Sequence, residues 1–94
     1  MGKAEYKVKN GKLVKAQVKA EGDKILNVKI TGDFFLHPEE LIEDLEKALV
    51  GSPLNEAELT KIIKGIIKER KAVLLGVSPE DFAKCIVMAG ERDG

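Results

Sequence analysis

Ninety-four residues allow one domain with one modest core, and 44% hydrophobic with 34% charged residues exclude the weakly hydrophobic, highly charged regime of disordered chains. No apolar run approaches the ~20 residues of a membrane-spanning helix and no signal-peptide core is present, so the expected location is the cytoplasm; the single Cys85 and single His37 exclude an internal disulfide and a structural zinc set. The net charge of zero hides a polarity, because residues 1–30 carry eight lysines against three acids and residues 31–60 one lysine against eight acids. Such a split can steer a partner or attract polyanions, and it equally suits lysines filling the wet face of a half-buried sheet.

The first third predicts three strands. Ala4, Tyr6 and Val8 alternate with charged residues, Asn10-Gly11 suits a two-residue hairpin turn, and Val14, Ala16, Val18 and Ala20 alternate with Lys15, Gln17 and Lys19. After a turn at Gly22-Asp23, Leu26, Val28 and Ile30 continue the apolar face opposite Asn27, Lys29 and Thr31. An antiparallel meander with one bare apolar face needs a cover.

Helices are expected to supply it. A first helix is predicted from about 38 to 50, with Pro38 at its first position, acids in its first turn, an apolar stripe of Leu41, Ile42, Leu45, Ala48 and Leu49, and Gly51 past its end. Asn55 to Glu58 resembles a capping box opening a second helix that carries Leu59, Ile62, Ile63, Ile66 and Ile67 to about Arg70. Gly65 inside that helix suggests a close contact. Residues 71–77 fit neither period. Ser78-Pro79 starts a last helix with Phe82, Cys85, Ile86 and Ala89 inward and Gly90 at its end; residues 1–2 and 91–94 are expected to fray. The fold class is therefore α+β: a three-stranded antiparallel sheet (β-β-β) followed by helices packed on one face, a single domain over 1–94.

Self-contained catalysis needs a nucleophile beside a base, paired carboxylates, a metal constellation or a phosphate loop, and no such motif is present. His37, before a proline, reads as solvated or capping. Cys85 shares a stripe with Phe82 and Ile86 and reads as a small buried hydrophobe. Glu39-Glu40 and Glu43-Asp44-Glu46 read as the solvated face and dipole complement of the first helix.

Gly32-Asp33-Phe34-Phe35 stands out, because it sets two of the four aromatics side by side in a connection that should be polar. Neighbours in extended chain point to opposite sides, so one ring can enter the core while the other faces outward to a partner; alternatively both tuck beneath the first helix. Gly32 permits a sharp turn or close approach, and Asp33 can cap local amides or meet a partner's base.

Ile30 to Phe35, then Leu41-Ile42 with Leu45-Glu46, then Ala48-Leu49-Val50-Gly51, together resemble the C-terminal accessory domain of the lipoate-protein ligase A family. The likeness extends upstream to Gly11 to Val14 and Asp23 to Ile25, and downstream to Leu74 to Ser78. The resemblance implies a chain that is not catalytic alone. It would be an accessory subunit supporting ATP-dependent activation of lipoate to lipoyl-AMP by a separate catalytic (large) subunit, for lipoylation of lysines on acceptor domains. Beginning at Met1 and ending just past the family domain, the chain is expected to be the separate small subunit. Lipoate, ATP and Mg would sit in the catalytic partner, and this chain would hold no catalytic residue, no cofactor-binding residue and no metal ligand. Gly32, Asp33, Phe34 and Phe35 would form the partner interface. Neither nucleic acid nor membrane is an expected partner. The competing reading is a small nucleic-acid-binding module using the Lys-rich sheet face, against which stand the zero net charge and Tyr6 as the sole strand aromatic before Phe34. An iron-sulfur assembly scaffold would need exposed cysteines, which Cys85 does not supply.

Overall fold

The computed structural model describes residues 1–9 and 11–93. Strands β1 (Gly2–Lys7), β2 (Leu13–Glu21) and β3 (Lys24–Gly32) form the antiparallel meander in the order β1-β2-β3. Asn10 lies outside the described residues, while Gly11 has φ +90° and donates its amide to the Val8 carbonyl (3.0 Å). The helices are α1 (Leu41–Leu49), α2 (Glu56–Glu69) and α3 (Pro79–Glu91). α3 lies across β1 and β2, α1 packs on β3, and α2 packs on α3 and α1. The α+β class and the three-stranded sheet with helices on one face are as the sequence predicts. Added to them is a two-stranded antiparallel ladder of β4 (Phe35–His37) and β5 (Val73–Leu75), which accounts for the ambiguous 71–77 segment.

Alternation places Ala4, Val14, Ala16, Val18, Val28 and Ile30 under the helices. Leu26, expected there too, is exposed, and Ile25 is buried in its place. The register explains the swap. Lys19 pairs with Asn27 and Ala20 with Ile25, so Leu26 is the extra residue of a β-bulge and the phase of β3 changes at that point.

The first helix also starts later than predicted. Pro38 is not its first residue: 38–40 form a turn in which the Leu41 amide donates to the Pro38 carbonyl (3.1 Å), and Glu40 is the N-cap. Leu41, Leu45 and Leu49 are buried as expected, whereas Ala48 is exposed. Asn55 caps α2 through its side chain (Glu58 amide, 3.0 Å), but its own amide donates to the Pro53 carbonyl (2.8 Å), so the reciprocal half of the box is not formed. The full capping box belongs to α3. There the Ser78 hydroxyl accepts from the Asp81 amide (3.3 Å) and the Asp81 carboxylate from the Ser78 amide (2.8 Å).

Gly65 has no close contact. An added Cβ would meet nothing within 4 Å, and the residue is exposed in mid-helix. Gly65→Ala is therefore expected to stabilise the chain by about 0.5–1 kcal/mol through backbone entropy, raising the thermal midpoint by about 4–8 °C per kcal/mol. A lower midpoint in a thermal scan would refute it. Gly90 does not end α3. It is buried one residue before the end, where a Cβ would meet the Leu54 side chain (2.5 Å).

Met1, Gly2, Arg92 and Asp93, within the stretches where fraying is expected, carry contacts, and Gly94 lies outside the described residues. Gly2 is buried in β1 with no room for a side chain beside the Ala89 carbonyl, and the Arg92 guanidinium donates to the Lys3 carbonyl (3.1 Å). The Asp93 carboxylate accepts the Ala20 amide (2.6 Å) next to the bulge and pairs with the N-terminal ammonium (3.2 Å). Those two donors, the amide first, hold its carboxyl below the usual aspartate range. A folded-state pKa below the unfolded one contributes stability above the unfolded pKa and loses it as pH falls through the folded pKa. Asp93→Ala should thus be less stable than the parent at neutral pH, with the gap in urea midpoints narrowing as the pH drops below the carboxylate range. A pH-independent gap would contradict the linkage.

Candidate docking face around Phe35

Gly32, Asp33, Phe34 and Phe35 have different surroundings. Gly32 lies so close to the Leu13 carbonyl that a Cβ would clash with backbone. Asp33 closes the end of the sheet: its amide donates to the Leu13 carbonyl (3.2 Å) and its carboxylate accepts the Leu13 amide (2.6 Å). Of the two readings for Asp33, the structure fills the local capping one. Phe34 then turns inward and meets the fully buried Phe82 edge to face (centroids 4.9 Å, planes 80°). Phe35 turns outward and is 53% exposed. The two rings part because the chain enters β4 in extended form.

The ladder assembles what the sequence does not show together. Phe35 pairs with Leu75 and His37 with Val73, while Leu36 between them is buried. Period two therefore sets Phe35, His37, Val73 and Leu75 on one outward face, where Leu75 is 58% exposed. Phe35 and His37 stack nearly parallel (centroids 6.4 Å, planes 7°). Three of the large exposed hydrophobics of the described residues thus occupy six residues of strand, whereas Leu26, Val50 and Met1 lie elsewhere in the chain. Val73 and Leu75 escaped sequence reasoning, since a three-residue strand shows no usable period and its partner is nearly forty residues away.

Beside this face lies an open groove of about 870 Å³ between the end of β3, β4 and the start of α1. Glu39, Glu40 and Glu43 line it. The other acids of this region have internal work. Glu46, expected on the solvated face, accepts the Ile30 amide on the outer edge of β3 (2.7 Å), and Asp44 pairs with Arg70, the C-cap of α2 (3.1 Å).

Cys85 is buried, its Sγ 3.6 and 3.5 Å from the Ala4 and Val14 carbonyl oxygens, and burial pushes the thiol up to about 11. It stays a neutral thiol at physiological pH. Tyr6 is half-buried on the helix-covered side with Lys84 over its ring (4.9 Å), so the lysine-bearing outer face of the sheet has no aromatic for a base to stack on. Among the described residues no cluster of His, Cys, Asp and Glu could hold a metal ion, and no helix is long and apolar enough to cross a membrane.

Residues 3–86 match the family model described as the bacterial lipoate protein ligase C-terminus. Lipoate-protein ligase A subunit 2 of Thermoplasma acidophilum is 33% identical over 81 residues, which cover 86% of this chain and 82% of the relative. Among solved structures, one chain of an archaeal lipoylation system, described as a bipartite lipoate protein ligase and its E2 lipoyl domain from the same organism, superposes with a TM-score of 0.75 at 31% identity, covering 88% of this chain and 90% of that one. A match over nearly the full length in both sequence and fold makes this chain a member of the lipoate protein ligase C-terminal family.

Proposed function

We propose that this protein is the small subunit of a two-part lipoate-protein ligase. It supports ATP-dependent activation of lipoate to lipoyl-AMP by a separate catalytic subunit, which then lipoylates lysines of acceptor domains in the cytoplasm. Lipoate, ATP and Mg belong to that partner, and this chain supplies neither a catalytic group nor a cofactor ligand. The observation that carries the reading is the outward face of Phe35 and Leu75, presented on a chain whose relative is named as the second subunit of such a ligase. Aromatic anchors at the centre of an interface supply much of its binding energy. In this reading Gly32, Asp33 and Phe34 place the ladder and Phe35 meets the catalytic subunit. Docking there would order loops around the adenylate and keep water from a hydrolysable mixed anhydride.

The test is a pyrophosphate-release assay with lipoate, ATP and the cognate large subunit. The large subunit alone should turn over poorly and recover when this chain is added. Equal rates with and without it would dispose of the proposal.

A further inference from the structure

Resting on that reading, we infer that the groove along the free edge of β4 receives an extended, basic segment of the catalytic subunit, added to β4 as a further strand. β4 is paired with β5 on one side, and on the other its backbone has no hydrogen-bond partner among the described residues. The groove runs along that open side, lined by all of β4 and by no residue of β5. The contrast with β3 is informative. Its outer edge is met by the chain itself at its start and at one amide further along: Ile25 exchanges bonds with Gly51 (2.7 Å) and Ser52 (2.9 Å), Leu54 donates to Asp23 (2.6 Å), and Glu46 takes the Ile30 amide. An edge left without any such bond beside a groove is a template for a further strand.

Charge selects the occupant. Glu39, Glu40 and Glu43 line the groove, and none has an ion-pair partner among the described residues. Lysine or arginine on the incoming segment would neutralise them, with an apolar residue in alternation seated against Phe35. A helix would present no backbone groups to β4, so the segment is extended. A second copy fits poorly. The contact between copies that would close, β4 on β4 about a two-fold axis, would set Glu39, Glu40 and Glu43 of one groove against the same acids of the other, and like charges repel.

The experiment compares hydrogen exchange of this chain free and in complex with the catalytic subunit, alongside association rates of the triple variant E39Q/E40Q/E43Q. Complex formation should protect amides between Phe34 and His37. The triple variant should associate about tenfold more slowly at low salt, with a flatter salt dependence. If the complex forms and stimulates turnover while those amides stay unprotected, the strand-addition inference fails and the subunit reading stands. If wild-type chain neither binds nor stimulates, both fail. Protection that grows with the concentration of the isolated chain would assign the groove to a second copy and overturn the inference. Should the triple variant not fold, the exchange result on the wild-type complex decides alone.

Discussion

Phe35→Ala is expected to leave the fold intact and to weaken binding of the catalytic subunit by about 30-fold or more, the cost of losing an aromatic interface anchor worth about 2 kcal/mol. The ring is more than half exposed, and among the described residues its only aromatic contact is the stack on His37, so folding loses little with it. Surface truncations of this kind change stability by about 0.5 kcal/mol or less. Isothermal titration with the large subunit, paired with a urea melt of the isolated variant, reads both effects. Unchanged affinity would move the docking face away from the β4-β5 ladder. Leu75→Ala, across the ladder, should follow Phe35→Ala in direction, because the two side chains share one face.

The opposite pattern belongs to the inner ring. Phe82→Ala should cost about 3–5 kcal/mol, the toll of emptying a fully buried aromatic site that the surroundings refill only in part. A domain of this length has about 5–14 kcal/mol in all, so the variant should be marginal, with a large fall in urea midpoint at unchanged slope. Phe34→Ala, at the half-buried end of the same edge-to-face pair, should cost less. A double-mutant cycle should return about 0.5–1.5 kcal/mol of coupling between the rings. Coupling near zero would mean that Phe34 merely fills space over α3. Together the four substitutions divide adjacent residues 34 and 35 into a folding role and a docking role, and an affinity loss from Phe34→Ala larger than its loss of folded population would argue against that division.

Several errors in reading the chain have one cause, which is that a local pattern is silent about distant partners. Leu26 continues a period-two run on paper, but the bulge against Lys19 and Ala20 gives its buried place to Ile25. Pro38 and its acids match a helix start, yet 35–37 are held as a strand by residues 73–75, and the helix begins only after a turn. Gly65 invites a packing explanation and has none among the described residues. Glu46 and Asp93 look like solvated surface and frayed end, and each satisfies a backbone amide on the main sheet.

The sequence by itself determined the three-stranded meander, the three helices and the inward stripe of α3, because those follow from periods of 2 and 3.6 and from the Ser78 and Asn55 caps, all of which act within a few residues. It also marked Gly32 to Phe35 as unusual and tied them to a family. Only the tertiary structure decided what each of the four touches. Gly32 and Asp33 are spent on Leu13, Phe34 on Phe82, and Phe35 is joined by Leu75 and Val73 from across the ladder. Burial is a property of surfaces brought together from far apart in the chain, so which of two adjacent rings stays in water is settled by contacts that no local pattern contains.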